Sequence, residues 1–457
     1  MLDYIKSERS LLLVLLFWVF AGTIYAPVTW GVIPLTLLLF QRRKMYTEML
    51  IGFFVILTLS DSRQQTFLFA ADIKDIYLVI LAVFMLIDRA AFAPRERLVF
   101  RFIPFFVVAA LCLIFSEVLL TGAQKTLSYI LLFLVVPNYL VYGWKTEGEN
   151  SIRKFIWTGV VLLVIGFIFR FISPGFVTLA GRYSGILGNP NGLGLFCIVF
   201  FILTTVANDM RKDLFTRRQL YVIQGVILLS IFLSGSRNAV FTIGIFMLFR
   251  YFYRISPFLG ISAFLVIVIV YQLILTNLGS IIVSLDLQEY FRIETLENAS
   301  GRLVAWNFGW EKIMENPLIG KGIGHGDNLY KINYAFLSIQ GHQGNAHNSF
   351  ITFWLDTGFF GLMFYLFAFI RSFVTGAKHC RSAIPALFAI LFSAFFESWL
   401  TASLNPFTIQ CVIIMTLISA PAIVGDPAAE ELELAEENGE ESEESSEENS
   451  STIPSST

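Results

Sequence analysis

Charged residues are scarce in this 457-residue sequence, at 14% of the chain, whereas hydrophobic residues make up 56%. A soluble protein carries about a quarter of its residues as charged side chains, so the composition excludes a soluble globular protein. Apolar runs of roughly 17 to 25 residues recur along the chain, the length that a helix needs to cross a bilayer. They lack the apolar–polar alternation of barrel strands. The sequence therefore predicts an all-α fold, a polytopic integral membrane helix bundle of about 12–14 transmembrane helices.

Cysteine is also rare, with four residues in the chain. Three of them fall inside apolar segments, and Cys380 lies in a basic loop. None is placed where an oxidising compartment would pair it with another, so no disulfide is expected. The first apolar run, LLLVLLFWVFAGTIYAP, has no convincing small-residue cleavage site, and we expect it to be retained as a span.

Basic residues are absent from the segment 426–457, which holds twelve acidic residues and many serines. Such a composition cannot bury enough apolar surface to offset the entropy of ordering. We therefore divide the chain into a transmembrane domain, 1–425, and a disordered acidic cytoplasmic tail, 426–457. The tail is expected to be a solvating appendage, with a docking role as the alternative.

The basic residues are distributed unevenly over the connections between apolar segments. Fourteen apolar segments occur at approximately 11–25, 28–40, 48–60, 75–91, 102–120, 126–144, 155–173, 191–208, 219–233, 238–249, 257–276, 348–370, 383–397 and 406–424. One set of connections carries 21 of the 32 Lys and Arg residues, and the opposite short connections carry six. Since cytoplasmic loops are enriched in basic residues, both termini are predicted to be cytoplasmic. The polar stretch 181–194, the turn 234–237 and the long loop 277–347 then face outward.

Three arginines stand out on this outward face. Arg182 lies in AGRYSG, Arg237 ends the tight turn LSGSR, and Arg302 opens SGRLVAW. The planar guanidinium matches phosphate oxygens, often through two hydrogen bonds, so a group of arginines at one membrane face suits a pyrophosphate. Ordinary snorkelling of each side chain to the interface is the alternative. The outer side of a cell membrane has no nucleotide sugars, so chemistry there requires an activated substrate delivered by a lipid.

The long outer loop predicts a helix followed by a glycine run. Apolar residues recur with helical spacing from Leu303 to Met314, and the helix should stop at Asn316-Pro317. We expect its apolar face to lie on the bundle or the lipid interface; stacking of Trp306 or Trp310 on sugars is the alternative. The alternating glycines of NPLIGKGIGHG follow no strand, so a dinucleotide loop is disfavoured. We interpret them as a flexible segment that crosses close to a site.

Three of the four histidines, His325, His342 and His347, lie in this loop. His347 stands where the loop re-enters the membrane, and a histidine there can remove a proton from a sugar hydroxyl. The alternatives for His347 are a helix-capping or core role and a zinc site shared with His325 and His342. The zinc site is disfavoured because no carboxylate–histidine cluster accompanies these residues. Asp356 is an intramembrane acid and thus a functional candidate by default, but we favour the structural alternative, a bond to a neighbouring helix. Glu397 and Trp399, at an outer span end, are weaker candidates for lining the cavity.

Taken together, these segments resemble the O-antigen ligase and O-antigen polymerase superfamily of bacterial inner-membrane glycosyltransferases. The resemblance rests on GR…GNPNGLG at 181–194, SGSR at 234–237, GR…W at 301–306, NPLIGKGIG at 316–324 and HNSF…W…G at 347–361. It covers about 180 residues of the membrane domain, and residues 1–150 contribute little to it.

The resemblance implies an undecaprenyl-pyrophosphate-linked glycan donor, a sugar hydroxyl on a glycan, lipid-anchored or protein acceptor, and neither cofactor nor metal nor nucleic acid. It implies that His347 is catalytic and that Arg182, Arg237 and Arg302 bind substrate. Asn191 and Trp306 are added to the substrate site as polar and stacking contacts. Because no nucleophile for a covalent intermediate is evident, we expect an inverting transfer at the outer face of the inner membrane. A multi-span transporter or flippase is the alternative function.

Overall fold

A computed structural model describes residues 2–276, 302–341 and 344–425, and these residues form a helical bundle. Up to residue 276 the helices are α1 (Leu2–Ser7), α2 (Arg9–Ile24), α3 (Thr29–Arg42), α4 (Tyr46–Ser60), α5 (Leu68–Ile87), α6 (Leu98–Arg101), α7 (Ile103–Cys112), α8 (Leu119–Glu147), α9 (Glu149–Ile172), α10 (Pro190–Met210), α11 (Arg217–Ser234), α12 (Arg237–Ile255) and α13 (Pro257–Thr276). After residue 301 they are α14 (Arg302–Glu315), α15 (His325–Ile332), α16 (Tyr334–Ile339), α17 (Ser349–Gly376), α18 (Ala383–Phe396), α19 (Pro406–Ser419) and α20 (Pro421–Val424). A hairpin of β1 (Thr178–Leu179) and β2 (Arg182–Tyr183) precedes α10. The first part of the outer loop, 277–301, and the acidic tail, 426–457, lie outside the described residues.

The predicted all-α membrane bundle is confirmed. Among the described residues, four helices are long and apolar enough to cross a bilayer: α8, α9, α10 and α17. Shorter apolar helices, including α2, α4, α18 and α19, accompany them. The four cysteines are free and buried, including Cys380 in the loop after α17.

The apolar segment expected at 102–120 is wrong at its C-terminal end. Helix α7 stops at Cys112, and a 3-10 turn follows at Leu113–Phe115. The hydroxyl of Ser116 accepts a hydrogen bond from the backbone N–H of Val118, so the side chain competes with continued helix. Helix α8 begins at Leu119 and extends over 29 residues, taking up the end of the predicted segment.

The centre of the bundle is formed by helices that are apolar on every side, and such helices are normally buried. All residues of α19 are buried, as are those of α4 from Tyr46 to Leu59. Helix α10 is buried from Leu193 to Ala207 and packs against α11, α12 and α19. The cavity described below lies at one end of α4, α10 and α19.

The amphipathic helix expected after residue 302 is confirmed as α14, and it ends at Glu315, before Asn316-Pro317. The residues that it buries are nevertheless the small ones, Ala305 and Gly309, together with Ile313. A Cβ at Gly309 would lie 2.5 Å from the Tyr330 hydroxyl, so the close approach to α15 and α17 depends on glycine. The larger apolar residues of the predicted stripe, Leu303, Trp310 and Met314, are exposed on the opposite side. They are available to contact lipid.

The glycine run after α14 is held firmly against α17, so the expectation of a flexible segment is wrong. The carboxylate of Asp356 accepts hydrogen bonds from the backbone N–H groups of Gly324 at 3.0 Å and Gly326 at 2.7 Å. Helix α17 kinks at Gly358, where φ is 69°, and a Cβ added there would lie 2.3 Å from the Leu318 carbonyl oxygen. The structural interpretation of Asp356 is therefore confirmed: its carboxylate fixes this segment.

Because the two backbones meet so closely, Gly320→Ala is expected to destabilise the protein. The new Cβ would lie 2.3 Å from the Asp356 carbonyl, and overpacking of this kind typically costs about 1–3 kcal/mol. We expect the thermal unfolding midpoint of the purified protein to fall by several degrees. Gly31→Ala is the matched control, because a Cβ there has nothing within 4 Å. Equal midpoints for the two variants would contradict the packing described here.

Candidate active site

A cavity of about 330 Å³ opens where the loops before α10, α17 and α19 meet the end of α4. It is the meeting point of segments that are far apart in the sequence. The polar and charged side chains that line it include Asp61, Arg63, Arg182, Asn191, His347 and Glu397. Acidic, basic and imidazole groups thus share one solvent-accessible space.

Three helices begin at this cavity, and asparagine caps each of them. The side chains of Asn189, Asn348 and Asn405 accept hydrogen bonds from the first-turn N–H groups of α10, α17 and α19. In α10 and α19 the asparagine is followed by proline at the first helical position, a residue whose fixed φ suits it. Helix N-termini carry a partial positive charge, so the three together favour an anionic ligand in the cavity.

Arg182 reaches the cavity from the short hairpin before α10. Ala180 and Gly181, with φ of 50° and 76°, form the two-residue turn that joins β1 to β2. The Arg182 Nε donates to the carbonyl of Ser234 at 3.0 Å, and Nη2 donates to Asn191 Oδ1 at 3.2 Å. Burial lowers the pKa of the Arg182 guanidinium, and the neighbouring charge of Arg237 lowers it further. The side chain is positioned by neutral groups, and it has no carboxylate partner among the residues that the structure describes.

Arg237 adjoins Arg182 but does not line the cavity. It is the first residue of α12, after a tight turn in which Gly235 has φ of 59° and Ser236 caps the helix. The side chain is exposed and forms no hydrogen bond or ion pair with the residues that the structure describes. Two adjacent arginines without a carboxylate among those residues would be stabilised by a bound anion.

On the other side of the cavity, His347 and Arg302 both contact Glu397. The His347 Nδ1 lies 3.0 Å from Glu397 Oε2, and Arg302 Nη2 lies 2.9 Å from Glu397 Oε1. The Glu397 side chain is only 10% exposed, so its two oxygens are largely committed to these partners. Arg302, expected to bind substrate, is therefore engaged in an ion pair that orients Glu397.

The backbone around His347 is locked to the segment that carries Glu397. His347 has φ of 46°, an uncommon conformation for a residue with a side chain, and its N–H donates to Asn345 Oδ1. The Ser349 hydroxyl donates to the Glu397 carbonyl at 2.7 Å and accepts from the Leu400 N–H at 3.3 Å. These bonds join the start of α17 to the end of α18 and fix the histidine–glutamate distance.

Trp306 lies behind this pair. Its indole N–H donates to the Ala346 carbonyl at 3.0 Å, and its ring packs against Phe395 at 5.1 Å between centroids. The tryptophan thus supports the backbone that precedes His347, and it does not line the cavity.

The structure brings together part of the predicted site. Arg182, Asn191, His347 and the weaker candidate Glu397 line one cavity, while Arg237, Arg302 and Trp306 are not among its lining residues. His325 lines a different cavity, beside the C-terminal end of α14. His342 lies outside the described residues, and among those described no group of three metal-ligating side chains is found.

Sequence reasoning missed Asp61, which directly follows α4 in the N-terminal third. Its carbonyl accepts a hydrogen bond from the Gly188 N–H at 2.9 Å, tying it to the loop before α10. Asp61 keeps partial solvent contact where it lines the cavity, but burial by the surrounding protein raises the pKa of its carboxyl to about 7. Lys74 and Arg63 oppose that shift. The available signal was an acid and a base, in SDSR, at the outer end of an apolar run.

Asp61→Asn is expected to stabilise the protein in a pH-dependent way. The carboxyl pKa of about 7 in the folded protein lies above the value of roughly 4 in an unfolded chain. Keeping the buried carboxylate ionised therefore costs stability, a cost that is absent below about pH 4 and complete above about pH 7. We expect the variant to raise the thermal unfolding midpoint more at pH 8 than at pH 5. A pH-independent difference would contradict this assignment.

Comparison with known proteins agrees with the resemblance identified from the motifs. Residues 223–366 match the model of a family described as O-antigen ligase. A "Putative polysaccharide ligase" of Rickettsia felis is 26% identical over 250 residues, which cover 52% of this chain and 58% of that relative. The chain therefore spans little more than half of the relative's length. The family match includes Arg237, Arg302 and His347, whereas Asp61, Arg182 and Glu397 lie outside it.

Proposed function

We propose that this membrane protein, whose residues 223–366 match the O-antigen ligase model, transfers a glycan from a lipid pyrophosphate donor to a sugar hydroxyl. The observation that carries the proposal is the composition of the cavity. A histidine–glutamate pair lies across the same 330 Å³ space from Arg182, whose charge has no carboxylate partner among the described residues. The histidine–glutamate pair is suited to removing the proton of an attacking hydroxyl. The positive charge of Arg182 is suited to stabilising a leaving group that becomes more negative.

The pairing with Glu397 determines which nitrogen of His347 is available. If the Nδ1–H donates to Glu397 Oε2, the Nε2 atom carries the lone pair and remains free to accept a proton. The hydrogen bond also stabilises the imidazolium that forms on protonation. Glu397 is thus a positioning residue, and Arg302 fixes its second oxygen.

The proposed reaction is a single displacement. His347 Nε2 takes the proton of the acceptor hydroxyl as its oxygen attacks the anomeric carbon of the donor. The bond from that carbon to the phosphate oxygen breaks, and its electron pair remains on the lipid pyrophosphate. Arg182, Arg237 and the N-termini of α10, α17 and α19 oppose the added negative charge. Attack on the opposite side from the leaving group inverts the anomeric centre, and in this scheme the arginines take the role that a divalent cation has elsewhere.

The distribution of basic residues supports an outward-facing site. Residues 61–63, 179–195, 347 and 397, which are predicted to lie at the outer ends of their segments, converge on the cavity. An outer site in the cytoplasmic membrane of a bacterium is supplied by undecaprenyl-pyrophosphate-linked glycans, the donor that the resemblance implies. We propose this donor, with both termini in the cytoplasm.

The test is reconstitution of the full chain in lipid nanodiscs with the lipid-linked donor and acceptor glycan of its host. We expect transfer to continue in EDTA and the new linkage, measured by NMR, to be inverted relative to the donor. If transfer were lost in EDTA and restored by a divalent cation, the proposal that the reaction needs no metal ion would be overturned. A retained linkage would overturn single displacement, and absence of any transfer would overturn the function.

Glu397→Gln is expected to reduce kcat by about 10²-fold while leaving the donor KM nearly unchanged. The amide preserves size but no longer stabilises a protonated His347, and its NH₂ group competes for the imidazole nitrogen. Because Glu397 acts through His347, the pH dependence of kcat should also change. A normal pH profile in the variant would reduce Glu397 to a structural role, and Glu311→Gln, on α14, is the control.

A further inference from the structure

A second polar cavity, of about 120 Å³, lies at the other end of α14 from the histidine–glutamate pair. Arg302, at the start of α14, contacts Glu397, whereas Lys312 and Glu315, at its end, line the second cavity. A helix of this length spans roughly 20 Å. An extended ligand bound along α14 would therefore contact the two cavities with different units.

His325 is the most unusual group in the second cavity. Its side chain is only 5% exposed, yet Nδ1 has no hydrogen-bond partner among the described residues. An unsatisfied buried polar atom is costly, by about 1–3 kcal/mol, and such atoms in native proteins commonly mark a place for water or a ligand. Burial lowers the pKa of His325, the neighbouring charge of Lys321 lowers it further, and Glu117 opposes the shift.

The charges around this cavity are balanced. Lys321 Nζ lies 3.1 Å from Glu117 Oε1, and Lys312 Nζ lies 2.6 Å from Glu315 Oε1. A phosphate or other anion would have to compete with these carboxylates, in contrast to the first cavity, where Arg182 has no carboxylate partner among the described residues. The pairs instead present donors and acceptors side by side, beside the apolar wall of Leu329 and Leu355. Alternating hydroxyl-binding groups next to an apolar surface suit a neutral sugar ring.

We propose that the second cavity is a distal glycan subsite, which binds a neutral sugar unit several residues away from the anomeric carbon that reacts. The free Nδ1 of His325 would hydrogen-bond one hydroxyl of the sugar ring. The two ion pairs would hydrogen-bond the adjacent hydroxyls of the same ring. The inference rests on the proposed function for the identity of its ligand. In this arrangement the glycan is recognised at one end of α14, and the reaction takes place at the other end.

The test uses the full chain in nanodiscs and, as probe, the reducing oligosaccharides released by mild acid from the host's lipid-linked glycan. The oligosaccharides are separated by size into a fraction that contains one repeat unit and a fraction that contains several. We expect the multi-unit oligosaccharide to bind, and His325→Leu to weaken its Kd by roughly five- to tenfold, as expected for one lost hydrogen bond. His379→Leu, at an exposed histidine of the loop after α17, is the matched control. Lys312→Gln on the cavity rim is a second variant, which does not disturb a buried residue.

In transfer assays, His325→Leu should raise KM for multi-unit donors while leaving kcat and the KM of single-unit donors unchanged. Equal binding by wild type and both cavity variants would overturn the subsite, and so would tighter binding of inorganic phosphate than of the oligosaccharide. A wild-type protein that binds the oligosaccharide through His325 but transfers nothing would overturn the proposed function and leave the subsite standing. Loss of kcat with every donor would show that His325 serves the reaction or the fold and would also overturn the subsite.

Discussion

His347→Ala is expected to lower the rate of glycan transfer by about 10²–10⁴-fold, the range over which general bases contribute. A sugar hydroxyl has no acidity at neutral pH, so its attack depends on a group that accepts the proton as the new bond forms. The lipid pyrophosphate is already a competent leaving group once its charge is opposed, and acid assistance matters less. His347 lines the cavity and is oriented by Glu397 at 3.0 Å, so it is the titratable group best placed for this role.

The measurement separates catalysis from binding. Donor binding by the purified His347→Ala protein should remain close to that of wild type, because the arginines are untouched. His347→Gln should recover little, since an amide is not basic at neutral pH. His379→Ala, at the exposed histidine after α17, is expected to be fully active. A near-normal rate in His347→Ala would refute the proposed role, and loss of donor binding would indicate a binding role instead.

The second large effect is expected at the adjacent arginines. Arg182→Ala and Arg237→Ala should each reduce transfer by about 10²–10³-fold, the range for removal of one preorganised group that stabilises developing charge. Lysine should substitute poorly at either position. At Arg182 one guanidinium already bonds Ser234 and Asn191 through separate nitrogens, a geometry that a single ammonium cannot reproduce.

Arg217→Ala provides the comparison, because Arg217 is exposed at the start of α11 and Ser234, which contacts Arg182, is the last residue of that helix. The control removes the same charge about 25 Å away. If Arg237→Ala retained full activity while Arg182→Ala lost it, Arg237 would be an interfacial side chain and the pyrophosphate site would be confined to the cavity. Full activity in both variants would remove the anion site from the mechanism.

The sequence predicted the elements of the site better than their connections. Arg182, Asn191 and His347 stand at breaks between apolar runs, where polar residues are conspicuous, and they line one cavity. The ion pair of Arg302 and Glu397 joins residues that are 95 positions apart in the sequence. It forms because the start of α14 lies beside the end of α18, which the sequence does not indicate. Asp61 was overlooked because an acid at the end of an apolar run is also what an ordinary helix end contains.

The apolar stripe of α14 left open whether it contacts the bundle or the lipid interface. In the structure, the bundle is contacted through Ala305, Gly309 and Ile313, whereas the larger residues Leu303, Trp310 and Met314 are exposed. The absence of a side chain at Gly309 allows the close approach of α14 to Tyr330 and Ile351. For this helix of the outer loop, the small residues mark the contact with the bundle.

The separate packing of the outer helices has an evolutionary consequence. Glu397 and His347 are joined by bonds between the ends of α17 and α18, whereas Ala305, Tyr330 and Leu337 of the outer helices pack with Leu355 of α17 in a second, smaller apolar cluster. Residues on the rim of the second cavity, such as Lys312 and Glu315, can thus diverge without moving the pair that reacts. Exchanging the residues that line this cavity between relatives should exchange preference for the glycan and keep the type of linkage chemistry. Lineages that change their surface sugars would need to alter only this exchangeable part.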